Sequence, residues 1–354
     1  MSSVTVAMSG GVDSSLAAYY LLQKGYSVSG ITMIFRIMFP DGKSFQIGEK
    51  AAEDAAIICA QLGISHQTVD YTEPFNDFVI SDFTRNYLEG RTPNPCVICN
   101  KKVKFGKLAD RAFQNGSDFF ATGHYSSIIN EGSNYFIKRN PLDPKDQTYF
   151  LYKIRKEILS KIIFPLSGME KSAVRIEAEK AKLITAAKKD SQDICFLPDG
   201  DYRNFLSEYI NKSGIIVSSG NFVDNDGKIL GRHNGIFNYT IGQRRGLGVA
   251  YTHPLYVSGF NIEKNEVILS KKDELFSKSL KTADLNLFTT LDSGEYQLKT
   301  RYAQKDKICT VKETDDGLII DFKEPIDAVT KGQSAVIYRN DLLIGGGIIE
   351  DVFF

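Results

Sequence analysis

Apolar and polar positions follow two regimes along the chain. In the first, short apolar runs over residues 4–8 and 28–33 read as strands. The stretches 14–24 and 50–62 repeat apolar residues every three to four positions and read as helices. Further strands over 65–69 and 119–122, with helices over 77–89 and 104–114, make this an α/β region built on a doubly wound parallel sheet. Ligands of such sheets sit at the carboxyl ends of the strands. From about residue 199 the runs become short, β-rich and broken by Gly, Asn and Asp, as over 214–226, 254–270 and 283–303, so an all-β half follows. A charged stretch over 271–279 divides that half, giving three expected units: 1–198, 199–271 and 272–354.

Composition narrows the picture. A chain of 354 residues exceeds what one core supports. Its 42% hydrophobic and 24% charged residues are those of an ordinary globular protein. The formal net charge of zero excludes a uniformly basic coat but not a local basic face, which is all that RNA binding needs. No apolar run reaches the length of a membrane span and the first residues read directly as a strand, so a cytoplasmic protein without membrane contact is expected. Five cysteines are too few for a disulfide scaffold, so each is core filler, ligand or nucleophile.

The first chemical signal is Met8-Ser9-Gly10-Gly11-Val12-Asp13-Ser14-Ser15, between the first strand and the first helix. Two glycines let backbone N–H groups approach an anion, the helix start adds a favourable dipole, and the serines add hydroxyls. No Lys-Ser or Lys-Thr follows, so this is not a Walker A loop, and the spacing is not that of a dinucleotide fingerprint. Asp13 beside phosphates calls for a counter-ion, and Mg²⁺ is the usual one. A simple helix cap would use the same residue types but needs no Ser-Gly-Gly lead.

Two cysteine segments follow: Asn94-Pro95-Cys96-Val97-Ile98-Cys99-Asn100 with Lys101, Lys102, Lys104 and Lys107 after it, and Asp190-Ser191-Gln192-Asp193-Ile194-Cys195-Phe196. Neighbouring lysines and a helix start would favour a thiolate at Cys99. Cys59 and Cys309 lie in apolar stretches and read as core. Lys145-Asp146-Gln147-Thr148-Tyr149-Phe150-Leu151, the glycine-rich run Gly242-Gln243-Arg244-Arg245-Gly246-Leu247-Gly248, the Arg301-Tyr302 pair and Gln333 complete the motifs.

The Ser-Gly-Gly-x-Asp-Ser loop resembles that of the N-type ATP pyrophosphatases. The whole set, spread over residues 4 to 350, resembles the bacterial tRNA-specific 2-thiouridylases. The resemblance implies an ATP pyrophosphatase domain, a small central β-rich tRNA-contacting domain and a C-terminal β-barrel. It implies ATP contacts at Ala7, Met8, Ser9, Gly10, Gly11, Val12, Asp13, Ser14, Met33 and Gly123. Contacts with the tRNA anticodon arm fall at Asn94, Pro95, Cys96, His124, Lys145, Asp146, Gln147, Arg301, Tyr302 and Gln333. The implied reaction adenylates the wobble uridine and then transfers sulfur, from a sulfur donor or relay protein, through a Cys195 persulfide with Cys99 as its partner.

This chain departs from the best-known pattern of the family, which has Asp where Cys96 stands. Cys96, Cys99 and Cys195 would supply three thiolates, leaving one iron of a [4Fe–4S] cluster open, so a cluster route stands beside the persulfide route. Zinc on the same thiols would not explain sulfur delivery. A small-molecule ligase with the same phosphate loop, or a noncatalytic RNA-binding or redox protein, would need neither Cys99, Cys195 nor the Lys-Asp-Gln stretch.

Overall fold

The computed structural model describes residues 1–132, 134–140, 146–188, 194–197 and 200–354. In the first unit, β1 (Ser3–Ala7) leads through a loop into the helix α1 (Val12–Gln23). Then come β2 (Ser27–Met38), β3 (Ser44–Ile47), α2 (Glu49–Leu62) and β4 (Ser65–Asp70). β1 is buried through its middle: Val4 and Val6 are inaccessible to solvent, and the buried Thr5 hydroxyl is satisfied by those of Ser29 and Ser117, as suits a strand covered on both faces. β1 pairs in parallel with β2 and with β5 (Phe119–Ala121), β4 pairs in parallel with β2, and the short β8 (Ile162–Ile163) joins β5.

Two differences from the sequence expectation affect the site. The second strand does not end at Met33. It continues to Met38, because Asp41 and Gly42 turn the chain back and β3 pairs antiparallel with residues 35–38. The helix expected over 104–114 begins earlier. A helical turn over Pro95–Ile98 runs into a wider, π-type stretch over Cys99–Leu108 and then into the helix Ala109–Gln114.

A hairpin that the sequence pattern did not predict, β6 (Ser127–Glu131) and β7 (Asn134–Lys138), leaves the first unit and pairs with the last strand of the chain. A helix over Lys171–Lys180 packs on α1. Another over Tyr202–Lys212, capped by the Asp201 carboxylate, stands where only β structure was expected. The central sheet joins β9 (Gly220–Val223), β10 (Ile229–His233), β11 (Tyr256–Asn261) and β12 (Glu266–Ser270).

The last unit is a closed six-stranded barrel of β13 (Phe276–Leu287), β14 (Glu295–Lys299), β15 (Lys307–Thr314), β16 (Gly317–Asp327), β17 (Ser334–Arg339) and β18 (Leu342–Phe353). The β13–β18 pairing closes it, which removes free sheet edges. Among the described residues no helix is long and apolar enough to cross a membrane.

Candidate active site

The loop between β1 and α1 is shaped by Gly10, whose φ of +65° suits glycine. A Cβ there would lie 2.6 Å from the Ala51 carbonyl oxygen. Gly11 precedes α1 with no side-chain cap, so the first amides of the helix keep their donor capacity for an anion at the carboxyl end of β1. The hydroxyls of Ser14 and Ser15 do not point outward as expected. Both donate to the Gly11 carbonyl, at 3.1 and 2.8 Å, and both side chains are buried. The donors facing a phosphate are therefore backbone amides, with Ser9 exposed beside them.

Gly123 lies against this loop, where a Cβ would come within 2.8 Å of the Asp13 backbone. Met33 is half-buried at the point where the parallel pairing of β2 gives way to its hairpin with β3. Ala7 ends β1, and Met8 and Val12 are buried against the core beneath the loop.

Two lysines missed by sequence reasoning flank the loop. Lys171 places its Nζ 2.7 and 2.8 Å from the two carboxylate oxygens of Asp13, and the Tyr125 hydroxyl donates to the same carboxylate at 2.5 Å. Lys188 donates to the Gly10 carbonyl at 2.8 Å and to Asp54 at 2.6 Å, with Lys50 also on Asp54 at 2.9 Å. Lone lysines, one opening a helix and one in a loop, carry no sequence signal of this kind; only the fold brings them to the loop.

The thiol segment starts at Asn94, whose side chain accepts the Val97 N–H at 3.4 Å and caps the turn, with Pro95 in the first helical position. Cys96 and Cys195 reach solvent and Cys99 is half-buried. The three thiols feel one another's charge, and Lys104 acts on all of them.

The surrounding protein nevertheless withholds enough water to outweigh Lys104. Burial pushes the Cys99 thiol up to about 11 and the Cys195 thiol up to about 12, and Cys96 is raised too. Burial therefore opposes the thiolate at Cys99 that the neighbouring lysines would favour. Two further lysines of the segment are engaged elsewhere: Lys101 pairs with Asp284 at 3.0 Å, and Lys102 lies over the Phe78 ring. Cys59 and Cys309 are core residues.

His124 sits between Phe105 and Phe164, its Nδ1 2.6 Å from the Thr122 hydroxyl. Burial, and then Lys104, hold it well below its ordinary value, so it is a neutral imidazole, under the influence of the same Lys104 that acts on the thiols. Gln147 accepts the Tyr125 N–H at 3.4 Å, tying its segment to the phosphate loop. Asp146 turns inward, accepting the Thr148 N–H and hydroxyl at 3.1 and 2.7 Å, so its carboxylate serves a turn. Lys145 and Asp190 to Asp193 lie outside the described residues.

Arg301 and Gln333 prove to be inter-unit clasps. Arg301 donates to the carbonyls of Ile241 and Ala328 and to the Thr330 hydroxyl, at 3.1, 2.7 and 2.6 Å. Gln333 donates to the carbonyls of Thr92 and Pro93, at 3.0 and 3.2 Å. Tyr302 packs on Phe150, with ring centroids 4.7 Å apart. Arg244 and Arg245 are exposed in the glycine-rich loop.

Among the described residues no three His, Cys, Asp or Glu side chains are placed to hold a metal ion.

Three family models cover the chain. They are described as the tRNA methyl transferase HUP domain over residues 2–199, the tRNA methyl transferase PRC-barrel domain over 203–271, and the aminomethyltransferase beta-barrel domain over 277–349. The tRNA-specific 2-thiouridylase MnmA 1 of Clostridium tetani is 42% identical over 354 residues, covering 99% of this chain and 97% of the relative. The protein of the same name from Syntrophus aciditrophicus is 41% identical, covering 98% and 92%.

Proposed function

Starting from its membership of the tRNA-specific 2-thiouridylase family, we propose that this chain, an ATP-using tRNA uridine 2-thiolating enzyme, adenylates the wobble uridine and delivers sulfur through Cys195 and Cys99. The observation that supports the sulfur step is that Cys195, distant in sequence, lies close enough to Cys96, Cys99 and Lys104 to feel their charge, in the segment that Asn94 caps.

In the first step the uridine O2 attacks the α-phosphorus of ATP and the bond to the β-phosphate breaks, so pyrophosphate leaves with the electron pair. The uncapped amides of α1 cradle the phosphates and stabilise that charge. Magnesium, held by Asp13, supplies further neutralisation of the polyphosphate when bound.

In the second step the terminal sulfur of a Cys195 persulfide, charged by a sulfur donor or relay protein, attacks C2, and AMP leaves with the C2–O electron pair. Cys99 then attacks the Cys195 sulfur, forming a Cys99–Cys195 disulfide and leaving the thiocarbonyl on the base. A thiol reductant resets the pair. Lys104 faces the thiols and favours whichever of them ionises.

The target base must leave its stack to reach this site. Asn94, Pro95 and Cys96, in the segment leading to Cys99, and His124 are the residues we assign to the base. The exposed Arg244 and Arg245, with Lys145 and Gln147, are assigned to the anticodon arm. Arg301, Tyr302 and Gln333 support that surface by holding the three units in register.

The test is a single-turnover assay on unmodified tRNA with persulfide-loaded protein. Cys195→Ser should still release pyrophosphate but give no thiolated product; thiolation by that variant would refute the assignment.

A further inference from the structure

We propose that Lys171 is a polyphosphate-binding residue of the ATP site, its ammonium stored on Asp13 and passed to the pyrophosphate oxygens when nucleotide binds. The inference rests on the ATP reading of the loop given above. Lys171 opens the helix Lys171–Lys180, which packs on α1 through Val174 and Ala178. That packing carries the ammonium to the first turn of α1, 2.7 and 2.8 Å from the Asp13 oxygens, where the side chain is 17% exposed.

A partly desolvated ion pair of this kind is weak evidence for stability, since lost hydration offsets much of the attraction. Its position is more informative. The pair stands at the mouth of an amide cradle, with Asp13 33% exposed, and not inside a core. Magnesium on Asp13 and the ammonium compete for one carboxylate. A metal arriving with ATP would repel the ammonium toward oxygens whose negative charge one magnesium ion does not fully neutralise. There it would stabilise the electron pair that leaves with pyrophosphate as the uridine O2 bonds to the α-phosphorus. Lys188 acts differently. Bound to the Gly10 carbonyl and to Asp54, it braces the loop from its other side.

Calorimetric titration of ATP, pyrophosphate and AMP into wild type, Lys171→Met and Lys171→Arg, with magnesium and with a chelator, tests this. The Met variant should lose about tenfold in affinity for ATP and pyrophosphate, the size of one charge-assisted hydrogen bond, while AMP affinity stays within about twofold. The Arg variant should recover most of the loss. Equal weakening of AMP and ATP would overturn the proposal and leave Lys171 as a structural partner of Asp13, and unchanged ATP and pyrophosphate binding would overturn it outright. Wild type that binds no ATP would instead defeat the underlying reading of the loop, an outcome distinct from either.

Discussion

The side-chain amide of Gln333, at the turn into barrel strand β17, lies 3.0 Å from the carbonyl oxygen of Thr92, two residues before the Asn94 cap that starts the Cys96–Cys99 turn. The contact is reciprocal along the segment: Thr92 N–H donates to the Lys331 carbonyl at 2.9 Å, and Gln333 also donates to Pro93. The C-terminal barrel thus fixes the entry angle of the thiol segment. Gln333→Ala removes both bonds and should cost ~1–2 kcal/mol of stability. It should also slow sulfur transfer more than pyrophosphate release. Urea melts and single-turnover assays resolved by step would check it.

Gly10→Ala faces both an unfavourable positive φ and a clash with the Ala51 carbonyl. It should abolish ATP binding and destabilise the fold by roughly 2 kcal/mol or more. Gly25→Ala, at φ +80° with nothing within 4 Å of the added Cβ, separates strain from crowding, with an expected loss of only about 1 kcal/mol. Thermal melts with ATP titrations would compare the two.

Lys153 is buried and bonds to Asp284 of the barrel, which also holds Lys101. Burial, against the pull of Asp284, lowers the Lys153 ammonium to about 8. Its folded value lies below its ordinary value of 10.5, so the unfolded chain binds the extra proton between these limits. This group's contribution to stability should therefore fall as pH drops from 10.5 to about 8 and level off below, where both states hold the proton. Asp284→Asn leaves the ammonium without its carboxylate and should cost ~1–3 kcal/mol at pH 7, less than for a fully buried pair because Asp284 is half-exposed. The deficit should shrink as the lysine deprotonates, which denaturation at pH 7 and pH 9.5 would show.

The raised thiols make a kinetic prediction. With Cys99 near 11 and Cys195 near 12, alkylation by iodoacetamide at pH 7 should be slower than for an ordinary exposed thiol, then rise about tenfold per pH unit up to pH 10. Lys104→Gln should slow it further. Mass spectrometry of quenched time points reads each cysteine separately.

How far the sequence revealed this arrangement depends on the range of the contact concerned. β1, α1 and the loop between them were legible because periodicity and glycine spacing are local. The extension of β2 past Met33 was not, since it depends on a four-residue partner strand with little pattern of its own. Cys99 and Cys195 stand out through their motifs, but their protonation does not follow from sequence: neighbours such as Lys101 and Lys102 are drawn off to Asp284 and Phe78 by the fold. The carbonyls that Arg301 and Gln333 hold could not be read from the sequence, because a lone Arg or Gln gives no sign of the partners the fold brings to it. Lys171 and Lys188 were invisible for the same reason.

The proposed mechanism stands or falls on the passage of sulfur from Cys195 to the base, with Cys99 closing a disulfide behind it. To test this, the protein is loaded anaerobically with persulfide and mixed with ATP and unmodified tRNA for one turnover, and thiolated uridine, the Cys99–Cys195 disulfide and bound iron are measured together. One disulfide per thiolated uridine is expected in iron-free protein, with product retained in Cys96→Ala but lost in Cys99→Ser. Thiolation that requires about four irons per chain, as a cubane cluster would, and that disappears in Cys96→Ala without any disulfide forming would be incompatible with that route.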